Sequence, residues 1–467
     1  MDTDDDRKSS VSRTRSSNGY FAPSMVVSGD SEDNPHDQPG RGSWGHYYDR
    51  LDAKQKWWKA VNKGKAVRHI KLRFVASILK KRSPPEQLEE SSAVKSWMIL
   101  KILLLDPMNI LLIAAPIGVA GAVQEWGPVP VFMGCFLGLI PLAKLLGDAT
   151  EHLAENLNQT IGGLLNATFG NAVEMIVTLS AIQRGLLDVV KHSLVGSILS
   201  NLLLVLGMSF FAGGLRHPEQ RFPGAAALIN VTMLLVGTLS FCLPTVFAFT
   251  ASPGDTLAVS RVSAIFVGIG YCAFLFFQLY THVEVFEEKH EDDEGVEDDS
   301  PPEEGAAVMG LPWALGLLLV STLAVSFLSE YMVSSIEGIV RQWKISQAFV
   351  GCILVPIVGN ACEHASAVRM AFNNKVAAAI AVAVGSSTQI SLLVMPFAVL
   401  VGWAMDRPLD LDLSPLGLSV LFLSVMVVFS IVTDGRSNWL EGFMLMLAYC
   451  LVGILYWYTP DAKPGKE

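Results

Sequence analysis

The 467-residue chain is 51% hydrophobic and only 17% charged, and its mean hydropathy of +0.41 sets it apart from soluble globular proteins. The formal net charge of −10 sums a basic N-terminal region and a separate acidic run, so it points to no nucleic acid or other single partner. Six cysteines without a CxxC pair or Cys/His spacing exclude a zinc site, and Gly64-Lys65 lacks the glycine of a phosphate-cradling loop, which disfavours an ATP-driven pump.

Residues 1–95 read as a cytoplasmic N-terminal region. Its first fifty residues have the composition of disorder, and Met1 to Asp6 is acidic with no apolar core behind it, so no signal peptide is expected there. Within the region, Lys54 to Arg82 interleaves Trp57, Trp58, Ile70, Leu72 and Phe74 with Lys and Arg. That pattern fits either a helix lying on an anionic membrane face or an ordinary basic juxtamembrane tail.

From Trp97 onward, apolar stretches of bilayer-spanning length recur. They lie near 98–123, 129–147, 161–182, 189–214, 223–250, 257–281, 311–333, 346–371, 376–404, 413–433 and 439–459. Eleven spans are therefore expected, and one reading of the first is that it begins with a surface helix ending before Pro107. The basic excess ahead of the first span places the N-terminus in the cytoplasm. The expected organisation is a first membrane half at 96–283, an acidic cytoplasmic linker at 284–308, a second membrane half at 309–459 and a short tail at 460–467.

An internal duplication carries the chemistry. Gly170-Asn171-Ala172-Val173-Glu174 returns as Gly359-Asn360-Ala361-Cys362-Glu363, an offset of 363 − 174 = 189 residues. In the same register Val195-Gly196-Ser197 maps onto Val384-Gly385-Ser386, and Gly162 onto Gly351. Three matches in one register indicate duplication rather than chance. Glu174 falls in the third span and Glu363 in the eighth, five crossings apart, so the two copies run in opposite directions. The fold expected is an all-α polytopic membrane protein with about eleven transmembrane helices: two inverted-topology five-helix repeats plus one extra N-terminal helix.

A glutamate left ionised inside an apolar helix costs at least ~2.5 kcal/mol on insertion scales. It must be protonated, paired or bound to metal. Asn and Glu at i, i+3 and Gly and Glu at i, i+4 share one helix face, and the small Gly-Asn-Ala run weakens the helix so that carbonyls can line a cavity. Two carboxylates with amide and backbone oxygens make a hard-oxygen site suited to Ca²⁺, with Mn²⁺ and Mg²⁺ as competitors. The alternative for either acid is a neutral, hydrogen-bonded structural residue.

The segments Asn166-Ala-Thr-Phe-Gly-Asn-Ala-Val-Glu174, Gly359-Asn-Ala-Cys-Glu-His364 and Gly385-Ser-Ser-Thr-Gln389 resemble the cation/proton exchanger family, which includes the vacuolar Ca²⁺/H⁺ exchangers of fungi and plants. The resemblance covers roughly 97–459. It implies eleven helices, an acidic central loop, an organellar membrane such as the vacuole, and Ca²⁺ as transported substrate rather than cofactor. By matched position it assigns Glu174 and Glu363 as cation ligands and proton carriers, Asn171 and Asn360 as supporting ligands, and Ser197, Ser386 and Gln389 as weaker lining residues beside Gly170 and Gly359.

Other residues keep two readings. His364 projects about 100° from Glu363 on a helix, which suits a proton relay or a hydrogen bond to a neighbouring helix equally. Glu151 and Glu330 sit upstream of the motif helices and either line the two entrances or are ordinary helix-end acids; their offset, 330 − 151 = 179, requires repeats that differ in length. The run Glu284 to Glu304 lacks EF-hand spacing and is either a solvated linker or a concentrator of Ca²⁺ at the cytoplasmic mouth. The activity expected is secondary antiport of Ca²⁺ against H⁺, not enzymatic catalysis. Na⁺/Ca²⁺ or Mn²⁺/H⁺ exchange and a passive cation channel are the rivals, and oligomeric state is left open.

Overall fold

The computed structural model describes residues 89–286 and 309–460. The expectations for 1–88, for the acidic run beyond Phe286 and for 461–467 lie outside the described residues. The described chain is helical almost throughout. Eight unbroken helices have the length and hydropathy to cross a membrane, and three bent pairs bring the number of spans to eleven.

The first span is a bent pair, α1 (Glu89–Leu104) and α2 (Pro107–Val123), turning 68° between them. Asp106 caps α2 by accepting the Met108 backbone N–H, and Pro107 occupies the first helical position, where a missing N–H costs nothing. The expected break before Pro107 is present, although α1 begins ahead of the 95/96 boundary. The first repeat follows as α3 (Pro128–Glu155), the bent pair α4 (Gln159–Phe169) and α5 (Ala172–Gln183), α6 (Leu187–Arg216), α7 (Gly224–Phe247) and α8 (Pro253–Thr281). A one-turn helix, Val283–Phe286, leads into the acidic run. The second repeat is α9 (Leu311–Trp343), the bent pair α10 (Gln347–Gly359) and α11 (Ala361–Phe372), α12 (Val376–Ala404), α13 (Ser414–Val432) and α14 (Trp439–Tyr458). The strands among the described residues form one two-residue antiparallel pair, β1 (Gln220–Arg221) with β2 (Arg436–Ser437).

Contacts between connectors show that the chain alternates as an eleven-span topology requires. At one end Arg184 pairs with Glu330, the Arg407 guanidinium donates to the Gln183 carbonyl, and Lys191 pairs with Asp410 at 2.7 Å. At the other, Arg436 pairs with Glu219, and the Gln220 amide donates to the Ala371 carbonyl and to Asn374 Oδ1. Spans three and nine end in the first set, which Glu330 within α9 also joins; spans four, eight and ten end in the second. α5 and α11 therefore run in opposite senses, and the repeats are inverted.

Burial sorts the spans by role. In the most apolar stretch of α6 83% of residues are buried and in that of α12 67%, against 17% for α8, so α6 and α12 form the centre while α8 faces lipid. α3 lies along α9, its counterpart in the other repeat, and closes the same bundle. Both central helices widen into a π-helical turn, Ser200–Val205 and Ile390–Val394, at corresponding repeat positions. Such turns are uncommon and concentrate at functional sites.

Gly196 shows how closely the repeats cross. A Cβ there would overlap the Cys352 backbone, whereas its duplicate Gly385 has no atom of another element within 4 Å of that position. Gly196→Ala should lower the melting temperature of the purified protein, by an overlap cost of about 1–3 kcal/mol. Gly385→Ala should leave it unchanged or slightly raised, because alanine favours a helix by roughly 0.5–1 kcal/mol over glycine. Equal melting shifts in the two variants would contradict this crossing geometry.

Candidate cation-binding site

Each Gly-Asn-Ala-x-Glu motif lies on a helix break. Gly170-Asn171 joins α4 to α5 through a 41° bend, and Gly359-Asn360 joins α10 to α11 through 61°. Asn171 (φ −105°, ψ 21°) and Asn360 (φ −88°, ψ 6°) both leave helical geometry at the cap. Glycine lowers the cost of the break, and asparagine competes with the backbone for hydrogen bonds. Each glutamate thus enters at the third position of a second half-helix, inside the bundle, at the end where backbone N–H groups point outward.

The two carboxylates approach each other across the repeat interface. Glu174 is 6% exposed, and its Oε1 lies against Gly359, where any Cβ would collide with it. Glu363 is half-buried, and its Oε1 accepts a 3.0 Å hydrogen bond from Ser386 Oγ. Asn201 Nδ2 donates to the same hydroxyl at 3.0 Å. The other two amides also donate sideways, Asn171 Nδ2 to Gln389 Oε1 at 2.6 Å and Asn360 Nδ2 to the Ser197 carbonyl at 3.2 Å.

These bonds use the donors and spare the acceptors. Glu174 Oε1 and Oε2, Glu363 Oε2, and the Oδ1 atoms of Asn171, Asn360 and Asn201 are all buried without a hydrogen-bond partner. Unpaired buried oxygens of this kind are costly. They suit a hard divalent cation, which takes about six to eight oxygens at ~2.3–2.6 Å. Among the described residues no group of three or more His, Cys, Asp and Glu assembles to hold a metal, here or elsewhere, so a cation at this site would depend on the amide oxygens beside the two carboxylates.

A cavity of about 570 Å³ reaches this site from the linker end of the bundle. Its lining includes Lys144, Asp148, Glu151, Glu363, Arg369 and Gln389, with both motif glycines. On the opposite side Glu174, Thr178, Ser193 and Ser197 enclose only about 10 Å³. The site is open toward one face and shut toward the other.

The remaining sequence candidates separate. Glu151 lines the open cavity, while Glu330 lies at the far end, exposed and paired with Arg184. His364 Nε2 is 3.3 Å from Ser200 Oγ, directed at α6 rather than alongside the Glu363 carboxylate. Sequence reasoning missed Asn201, Ser200, Asp148 and Lys144. The repeat register could have found Ser200, which is the duplicate of Gln389, but Asn201 corresponds to Ile390 and carries no such signal.

Residues 128–280 and 313–458 match the sodium/calcium exchanger protein family. The chain belongs to that family. The matched stretches coincide with the two repeats and leave out the first span. Among its relatives, the vacuolar cation/proton exchanger 2 of Oryza sativa subsp. japonica is 41% identical over 378 residues, covering 78% of this chain and 85% of that protein. The Ca(2+)/H(+) antiporter of Aphanothece halophytica is 40% identical over 357 residues, 75% of this chain and 96% of that one. The solved structure of native YfkE superposes with a TM-score of 0.65 at 34% identity, covering 75% of this chain and 100% of its own. As a member of this exchanger family the chain is a transporter, and the two-repeat bundle is the family fold.

Gly359→Ala isolates the glutamate contact. The added methyl meets the free end of a flexible side chain, so the variant should fold and melt like the wild type. Displacing the Glu174 carboxylate should nevertheless slow transport roughly tenfold or more. Wild-type rates in a folded Gly359→Ala protein would show that the contact is not needed.

Proposed function

We propose that the chain is a secondary antiporter that exchanges cytosolic Ca²⁺ for H⁺ from an acidic organelle lumen, by alternating access at a site built on Glu174 and Glu363. The observation that carries this reading is the pair of repeat-related glutamates on two antiparallel broken helices, at the blind end of a one-sided cavity. The names of the relatives, cation/proton exchangers and Ca²⁺/H⁺ antiporters, support the choice of ions. The vacuolar relatives support a multi-pass vacuolar membrane. The N-terminus and the open cavity then face the cytosol.

The coupling follows from charge. Two ionised carboxylates side by side in a low-dielectric interior repel each other and are poorly solvated, so the empty doubly charged site is unfavourable. Ca²⁺ neutralises the pair; so do protons. Either load lets the site pass through the closed bundle, and the empty pair resists that passage, so the two ions move in opposite directions. Asn171 and Asn360 supply neutral oxygens to the cation, and Ser386 orients Glu363. Ser197 offers the backbone carbonyl that fixes Asn360, and Gln389 fixes Asn171.

Sealed vesicles test the reading. An interior-acid pH step without Na⁺ or ATP should drive Ca²⁺ inward against its gradient, which a channel cannot do. Uptake that requires a Na⁺ gradient instead would establish Na⁺/Ca²⁺ exchange. Glu174→Gln and Glu363→Gln should each fold, since the amide matches the protonated acid in shape, and each should abolish pH-driven uptake. Robust uptake by either variant would remove its glutamate from the mechanism.

His364 is proposed to assist proton transfer near Glu363. His364→Ala should alter the pH profile of uptake. An unchanged profile would leave the histidine only its hydrogen bond to Ser200.

A further inference from the structure

The first span lies outside the stretch matched by the family, yet it makes one charged contact with the cavity. Asp106, in the bend between α1 and α2, forms an ion pair through Oδ2 with the Lys144 ammonium. Lys144 lines the cavity together with Asp148 and Glu151. These three residues stand at i, i+4 and i+7 on α3, one face of one helix. The local partner of Lys144 is therefore Asp148, one turn on. The ammonium is held closely by Asp106 and stands 4.0 Å, the outer limit of an ion pair, from Asp148 Oδ2, which has no hydrogen bond.

Asp106 is well placed to hold it. Its Oδ1 accepts the Met108 N–H at 2.8 Å and caps α2, and Pro107 stiffens the turn, so its second oxygen is presented from a fixed backbone. We propose that the extra first span serves transport through Asp106, a positioning residue that tethers Lys144 at the edge of the cavity and keeps its positive charge off the path of the entering cation. Without the tether, Lys144 swings onto Asp148, neutralises it and repels Ca²⁺ at the mouth of the cavity. The inference rests on the exchange reading of the cavity given above.

The test is Ca²⁺ uptake by the full-length protein in vesicles with the cavity face outward, reading KM and Vmax separately. Asp106→Asn keeps an oxygen for the cap and removes the charge. It should raise the KM for Ca²⁺ about threefold or more, with Vmax changed less than about twofold. Lys144→Gln alone should leave KM at the wild-type value or lower it, since the tethered charge already stands off the path. The double variant should return KM to the wild-type value or below, a rescue that a merely structural role for the ion pair would not give. An unchanged KM in folded Asp106→Asn, a double variant as poor as the single, or a raised KM in Lys144→Gln would each overturn the tether. The Lys144→Gln arm decides the matter even where Asp106→Asn does not fold. Failure of the wild type to take up Ca²⁺ under a pH step would instead sink the exchange reading on which the inference depends.

Discussion

The cost of a carboxylate in hydrocarbon is the constraint around which this molecule is arranged. Two glutamates sit deep in an apolar bundle, where an unpaired charge is expensive. The surrounding polar groups do not satisfy them. Asn171, Asn201 and Asn360 donate their N–H groups to neighbouring helices and leave their oxygens without partners, as are three of the four glutamate oxygens. A site rich in acceptors and poor in donors is stabilised by something positive. On the proposed mechanism, this preference gives the helix breaks, the motif glycines and the cavity a common purpose.

Duplication supplies two copies of the motif, but the folded chain does not treat them alike. Glu363 faces the open cavity and is held by Ser386, whereas Glu174 lies beyond it with no hydrogen-bond partner. The α10–α11 bend is sharper than the α4–α5 bend. Inverted repeats that share one central site take different conformations whenever only one side is open, because a strictly symmetric bundle would be open to both faces or to neither. On the proposed mechanism, the facing reverses when the repeats exchange these conformations.

Much of the fold is legible in the residues. Eleven spans, the break before Pro107 and the inversion of the repeats follow from apolar run length, a helix-breaking residue and the parity of crossings between two pentapeptides. The β1–β2 pair was not legible, since two-residue strands have no period of their own and exist because connectors from opposite ends of the chain meet at one face. For Glu151 and Glu330 the residues left two readings, entrance acids or helix-end acids, and gave no sign of their partners. Glu151 opens onto the cavity, and Glu330 is taken up by Arg184, a contact 146 residues away in sequence.

By itself the sequence singled out the residues to which the proposed mechanism assigns the chemistry. An acid in an apolar span is conspicuous because the bilayer penalises it, and a repeated acid is conspicuous twice. Tertiary structure alone decided which oxygens lack partners, which face is open, and which cation stands beside which anion. Lys144 has a ready local partner four residues on and is drawn instead to Asp106, 38 residues earlier in the chain. A choice between a neighbour along the helix and an acid from another span depends on where the backbone bend places that second carboxylate, and no local pattern encodes it.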